Sequence, residues 1–277
     1  MNKLNFLIAG IPETTESPAD IHKGLQRVQE MGIDGMELEF VHNIWLNDES
    51  AKKVGLEAEN LNLILTIHAP YYINLNSKDN KIKYGSISRI VKTAQIGIAL
   101  NAFSITFHPG YYLLDSKEDA LEHMKETFQK ILKPFENNPN PIFIRPETTG
   151  KGTQFGDLDE LLTLSKLSAR FSPCIDFAHL HARTDGKYNS YDEFMTILDK
   201  VNATLGEIGI KNMHMHYSGI EYSGKGERRH LSFKNSDAKY TELLRALKSS
   251  GVAGALVCES PERDTDTKLL KDTYNSI

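Results

Sequence analysis

Cysteine is scarce, positive charge is outweighed, and long hydrophobic runs are missing. The 277 residues include two cysteines, Cys174 and Cys258. Both sit in short apolar, strand-like runs, which excludes a disulfide framework and favours buried thiols that pack as small hydrophobes rather than bind metal. No apolar run approaches the roughly 20 residues that cross a bilayer. The apolar part of the N-terminus, Leu4–Ala9, is too short for a signal peptide and reads as a strand. A reducing, cytoplasmic setting with no membrane partner is therefore expected. The formal net charge is −5, so a global positive field for nucleic acid is lacking. A nucleic-acid partner would have to be met by a local basic patch or by bound cations. Linkers, low-complexity segments and close internal repeats are also lacking, as are a nucleophilic Ser/His/Asp set and a phosphate-cradling glycine motif.

What is present is an ordinary globular composition, 40% hydrophobic and 25% charged, together with ten histidines. Eight strand-then-helix units run through the chain. The strands are Leu4–Ala9, Gly35–Val41, Leu63–His68, Phe103–His108, Ile142–Glu147, Cys174–Phe177, Asn212–His216 and Ala255–Glu259. The intervening helices are expected over Pro18–Met31, Asp48–Asn60, Ile82–Leu100, Lys117–Lys133, Leu158–Ala169, Tyr191–Glu207 and Ser236–Ser249, with a last one near Lys268–Tyr274. Eight alternating units predict one α/β domain over 1–277, a closed (β/α)8 barrel of parallel strands.

The organising stretch is Pro141–Gly150, Pro-Ile-Phe-Ile-Arg-Pro-Glu-Thr-Thr-Gly. It reads as a buried strand that ends in an acid, Glu147, followed by a glycine turn. The other strands repeat the pattern. In the fourth, Phe103, Ile105 and Phe107 alternate with Ser104, Thr106 and His108; in the seventh, Met213 and Met215 alternate with His214 and His216. With a side-chain period of two, the larger apolar set faces the helices and the polar set faces the barrel interior. His68, His108, Glu147, Asp176, His179, His216 and Glu259 gather at or just beyond strand ends, where such barrels build their sites. Imidazole mixed with carboxylate suits zinc, or manganese or iron. Seven groups exceed one ion, so two or three ions sharing Glu147 are expected.

Thr66-Ile-His68-Ala-Pro-Tyr-Tyr, Phe107-His108-Pro-Gly, Pro146-Glu147-Thr-Thr-Gly-Lys, Cys174-Ile-Asp176-Phe-Ala-His179, Met215-His216-Tyr-Ser-Gly and Cys258-Glu259-Ser-Pro resemble, in this order, the motifs of the endonuclease IV family of metal-dependent apurinic/apyrimidinic endonucleases. The resemblance implies a TIM barrel. It gives His68, His108 and a bridging Glu147 to a first zinc, Asp176, His216 and Glu259 to a second, and His179 to a third. The family completes its third site with an Asp-x-His pair after strand seven. Here that region reads Gly226-Glu227-Arg228-Arg229-His230. Glu227 stands for the aspartate, and either Arg229 takes the histidine's place or His230 serves with a one-residue shift. His214, inward by parity, is expected to support His216 rather than bind metal.

The implied partner is double-stranded DNA bearing abasic sites, met by a monomer. The implied reaction is hydrolysis of the phosphodiester 5′ to the lesion by metal-activated hydroxide, with Glu147 as the central catalytic group. Tyr71 and Tyr72 match the family's inserted side chains. Lys151, Arg183, Lys187, Lys225, Arg228 and Arg229 fall in the loops of the presumed mouth, available to phosphates. Trp45 reads as packing. Arg145, inward and two residues below Glu147, is expected to pair with Glu37 or Glu39 of strand two, because a buried cation needs a partner. The rival readings are a metal-dependent sugar isomerase or epimerase on the same barrel, and a damaged-DNA-binding module whose third site has been lost.

Overall fold

The computed structural model describes residues 2–138 and 142–277; Pro141, the first residue of the organising stretch, lies outside the described residues. In chain order the elements are β1 Leu4–Ala9, α1 Ile21–Glu30, β2 Gly35–Glu39, α2 Asp48–Asn60, β3 Ile64–His68, α3 Asn80–Ala99, β4 Ser104–Phe107, α4 Lys117–Leu132, β5 Phe143–Pro146, α5 Leu158–Ser165, β6 Cys174–Asp176, α6 Phe177–Arg183, α7 Tyr191–Lys211, β7 Met213–Tyr217, β8 Gly219–Ser223, β9 Gly226–Leu231, α8 Tyr240–Ser249, β10 Gly254–Cys258 and α9 Arg263–Ser276. Eight of the strands form one parallel sheet in the order β5-β4-β3-β2-β1-β10-β7-β6. Isolated parallel bridges Ile144↔Phe171 and Glu147↔Cys174 join its two edges, so the sheet closes into the expected (β/α)8 barrel. The antiparallel pair β8–β9 stands outside that sheet. No helix among the described residues is long and apolar enough to cross a membrane.

The helices start where a short polar side chain can take up otherwise orphaned backbone N–H groups. Asn47 and Ser50 form a capping box on α2, and Asp157 and Glu160 form one on α5. Helix α1 begins at Ile21 because Asp20 accepts from the Lys23 amide; Pro18 precedes the helix instead of opening it. Side-chain parity behaves as the sequence predicts. Met213, Met215, Leu256 and Cys258 join the core under the helices, whereas Leu7, Ala255 and Val257 form a separate small cluster. Both thiols are fully buried and pushed up to about 12 by that burial, in keeping with packing as small hydrophobes.

The expected pairing of Arg145 with Glu37 or Glu39 is not made. Arg145 is inward and fully buried, but its guanidinium turns toward the N-terminal ends of the strands. There it donates to the carbonyls of Asn212 at 2.5 Å and Pro173 at 3.4 Å and lies over the Phe143 and Phe103 rings at 4.5 and 5.3 Å. A long flexible side chain reaches the carbonyls that precede β6 and β7, and ring faces supply the rest of the cation's stabilisation. Burial still disfavours the cation and pulls its pKa down to about 9. Arg145→Ala should cost about 3 kcal/mol in urea unfolding, since it opens a cavity and removes the donor from two carbonyls. Metal content should be unchanged, because the side chain sits at the end of the barrel away from Glu147.

Candidate metal centre

The C-terminal ends of the strands carry the expected residues to one mouth. Glu147 follows β5 directly and is fully buried. Four imidazoles surround its carboxylate: His68 Nε2 at 3.3 Å, His108 Nε2 at 3.3 Å, His179 Nδ1 at 3.1 Å and His216 Nδ1 at 3.4 Å. Glu259, at the end of β10, places Oε2 3.4 Å from His216 Nδ1. Among the described residues the donor atoms of five groups converge within 4.8 Å: His68 with His108 and Glu147, Glu147 with Asp176, His216 and Glu259, and Asp176 with His179 and His230 at the mouth, and Cys174 with His214 and His216 and Glu37 with Glu39 and Glu259 beside them.

These separations test whether ions fit. Two donors held at about 2.0–2.1 Å by one tetrahedral ion stand roughly 3.3 Å apart, whereas a charge-assisted hydrogen bond draws its partners to about 2.7–2.9 Å. Three of the four pairs around Glu147, those with His68, His108 and His216 at 3.3–3.4 Å, fall at the first spacing. Both carboxylate oxygens of Glu147, Oδ2 of Asp176 and Nδ1 of His216 are buried without a hydrogen-bond partner. Native proteins rarely leave such atoms unsatisfied, so the donor set fits divalent cations.

Local structure aims each candidate ligand. His68 donates from Nδ1 to the Ala69 carbonyl at 2.8 Å, which frees Nε2 for Glu147's side of the mouth. His179, just beyond the sixth strand, lies on α6 and not in a loop. Asp176 caps that short helix by accepting from the His179 amide at 2.7 Å, and its own amide donates to Thr148 Oγ1 at 2.8 Å. His179 Nδ1 lies 3.0 Å from the Thr148 carbonyl, and its Nε2 points to His230 Nε2 at 3.4 Å and Glu227 Oε2 at 3.6 Å.

The β8–β9 hairpin, in the stretch after the seventh strand, decides the third group. Glu221 pairs with Arg229 and Tyr222 with Glu227, so Arg228 is an extra residue in β9, a β-bulge. The bulge shifts the alternation by one, which puts Glu227 and His230 on the same inward side. Arg229 faces out, so the histidine of this site is His230. The hairpin sits close because two positions are glycine. A Cβ on Gly150 would stand 2.6 Å from Glu227, and a Cβ on Gly226, at φ +92°, would stand 2.3 Å from the Gly150 carbonyl. Gly150, Gly226 and the spacing of Glu227 from His230 were the signals in the sequence.

Electrostatics bind the cluster without ions as well. Burial drives Glu147 up, but His108 and His216 together hold it well below the usual carboxylate range. Burial also opposes ionisation of Glu259, yet His216 keeps it down at about 2. For Asp176 burial wins and pushes it up to about 6. Burial disfavours the His68 cation, but Glu147 and Glu39 raise it to about 10. Glu39 itself, with burial as the main cause, rises to about 8.

The rim residues divide. Tyr71 and Tyr72 are 54% and 61% exposed, Tyr71 with its ring edge-on to His68 and Tyr72 stacked on His42. Lys151, with Tyr71, helps line the cavity of about 410 Å³ above the ligands. Arg228 and Arg229 are exposed but share an ion pair with Glu221, at 2.7 and 2.6 Å. Lys187 and Lys225 are exposed. Arg183 is not open to a phosphate in the way its loop-like position suggested. It lies at the end of α6 and donates to the carbonyls of Lys151 at 2.5 Å and Gln154 at 3.0 Å, and to Tyr112 at 3.1 Å, bracing the loop after β5. Trp45, though 47% exposed, packs edge-on against Phe40, as read.

Comparison with known proteins agrees with this geometry at the level of fold. Over 279 residues, spanning all of both chains, the protein is 42% identical to the uncharacterized protein MJ0133 of Methanocaldococcus jannaschii. It is 26% identical to a probable endonuclease 4 of Staphylococcus carnosus over 82% of this chain and 69% of that protein. Among solved structures, a D-tagatose 3-epimerase-like protein superposes with a TM-score of 0.76 at 18% identity over 98% of this chain and 97% of the other. Endonuclease IV from Thermus thermophilus superposes with 0.70 at 15% identity over 99% and 100%. A sequence profile matches residues 25–276, and by that match the chain belongs to the xylose isomerase-like TIM barrel family.

Proposed function

We propose that the protein is a metal-dependent phosphodiesterase that cleaves double-stranded DNA on the 5′ side of abasic sites. The observation that carries this reading is Glu147 itself: one buried carboxylate touched by four imidazoles and shared by two adjoining groups of candidate ligands. His68 and His108 would hold a first ion with Glu147, and Asp176, His216 and Glu259 a second. His179, His230 and Glu227 would hold a third. Zinc suits this N/O donor set, and manganese or iron would also fit. When bound, such ions lower the pKa of water and neutralise charge on phosphoryl and leaving oxygens. The likeness to a protein named a probable endonuclease 4 supports the same reading.

The chain's own residues would position the substrate. Water adds across the P–O3′ bond, which leaves a 3′-hydroxyl on one side and a 5′-phosphate on the abasic residue. An abasic sugar leaves the duplex at low cost. The exposed rings of Tyr71 and Tyr72 stand at the rim, where they can fill the gap left behind, and Lys151 lies beside the cavity to meet a phosphate. Lys151, Lys225 and Arg228, which line a cavity beside the mouth, would offset the protein's net negative charge locally, as would the ions themselves.

A sugar epimerase is the second reading, favoured by the superposition on the D-tagatose 3-epimerase-like protein. The seven-residue ligand set with the added Glu227 and His230 favours the nuclease, since three groups of donors exceed what a one- or two-metal epimerase uses. Against the third reading, a binding module with a lost third site, the β9 bulge sets His230 Nε2 3.4 Å from His179 Nε2.

Three outcomes are expected. A duplex with one abasic site should be nicked beside the lesion with zinc or manganese but not with chelator, and Glu147→Gln should lower the rate by at least about 100-fold, more than loss of an outer metal partner. Binding without nicking would favour the recognition module; neither, in metal-loaded protein, would favour a sugar substrate. Tyr71→Ala and Tyr72→Ala should each weaken abasic-duplex binding by about 1–3 kcal/mol in a titration at fixed salt, with metal content unchanged. Finally, metal affinity should fall as pH falls. His68 is raised to about 10 in the ion-free protein, so at pH 7 its imidazole carries a proton that an ion must displace. Calorimetry in buffers of different ionisation enthalpy should report at least one proton released.

A further inference from the structure

We propose that Glu37 is a positioning residue for the metal centre: its carboxylate fixes His216 as the Nε2–H tautomer, with Nδ1 turned toward Glu147 and Glu259. This rests on the metal reading above. Glu37 lies on β2, fully buried inside the barrel and beneath the ligands. Its Oε1 is 2.9 Å from His216 Nε2, and its Oε2 is 3.0 Å from His214 Nε2. These contacts stand at ion-pair distance and are not aligned as hydrogen bonds, so the link is electrostatic. Beyond Glu37, His214 Nδ1 lies 2.9 Å from Ser104 Oγ. Ser104, His214, Glu37 and His216 thus form one chain of contacts across the barrel interior, from β4 to β7 to β2 and back to β7.

These contacts constrain the proton inventory of this chain, which also has the buried Cys174 thiol beside His214 and His216. The one cation of the interior that sequence parity offered Glu37, Arg145, has gone to the other end of the barrel. A buried carboxylate is tolerated when positive or N–H charge faces it, and here the facing atoms are the two Nε2. Both therefore carry hydrogen. A neutral imidazole with hydrogen on one nitrogen offers a lone pair on the other. For His214 that lone pair is Nδ1, which accepts from the Ser104 hydroxyl. For His216, neutral once an ion has displaced its second proton, it is Nδ1, the atom 3.4 Å from both Glu147 Oε1 and Glu259 Oε2. A carboxylate behind a metal-binding histidine orients the ring and raises its basicity, and loss of such a partner costs about 10–100-fold in metal affinity. His214 then has a role that its inward parity left open: with Ser104 it holds the second oxygen of Glu37, so that the carboxylate cannot rotate away from His216.

Two measurements test this. In metal-loaded wild-type protein, long-range proton–nitrogen-15 correlation spectra should show His216 and His214 both as Nε2–H tautomers; hydrogen on His216 Nδ1, or metal on its Nε2, overturns the proposal. This needs no variant and so is independent of folding. In chelator competition, Glu37→Gln, which keeps the volume, should hold its most weakly bound ion about 10–100-fold less tightly than wild type, and the visible absorption of the cobalt-loaded variant should shift. Wild-type affinity with an unchanged cobalt spectrum overturns the role of Glu37 alone. Wild-type protein that takes up no ion overturns the metal reading, and this proposal with it.

Discussion

The structure depends on one buried carboxylate. Glu147 has almost no access to solvent and no ion pair with a lysine or arginine among the described residues, and a lone charge in that position would be strongly disfavoured. What makes it tolerable is the ring of imidazoles at 3.1–3.4 Å, delivered by β3, β4, α6 and β7. Three of those imidazoles are in turn fixed from behind: His68 by the Ala69 carbonyl, His179 by the Thr148 carbonyl, His216 by Glu37. The closed parallel barrel is the scaffold that can bring so many strand ends to one point, because every strand runs the same way and ends at the same rim.

Around that point the chain uses backbone devices more than side-chain bulk. Asp176 both faces the site and caps α6, so the turn that places His179 is built by a residue of the cluster itself. Arg183 ties down the carbonyls of the loop after β5, which fixes the glycine against which the hairpin rests. The bulge in β9 then corrects the spacing of Glu227 and His230. These are small features, but each one sets the position of a candidate donor atom.

The barrel was legible from the alternation of strand and helix signals, and the inner ring of candidate ligands from period-two parity on short buried strands. Both are local: they depend on residue order alone, and β3, β7 and β10 obeyed them closely. Helix α2 was legible to the residue because Asn47 and Ser50 fix its start. The β8–β9 hairpin was not, since its strands are polar and glycine-broken and carry no apolar rhythm. Helix α6 was missed for a related reason: it is about two turns long and begins immediately after a strand.

By itself the sequence determined which residue types stand at which strand ends, and on which face, because covalent spacing and the pleat leave little choice. Only the tertiary structure decided who meets whom. Parity placed Arg145 and Glu37 in the same interior, yet their partners lie at opposite ends of it, since a long guanidinium found carbonyls and ring faces below while the carboxylate found two imidazoles above. The sequence left Arg229 and His230 as alternatives, and one extra residue in β9 chose His230. Such choices turn on distances of a few ångströms between residues far apart in the chain, and local spacing carries no information about them.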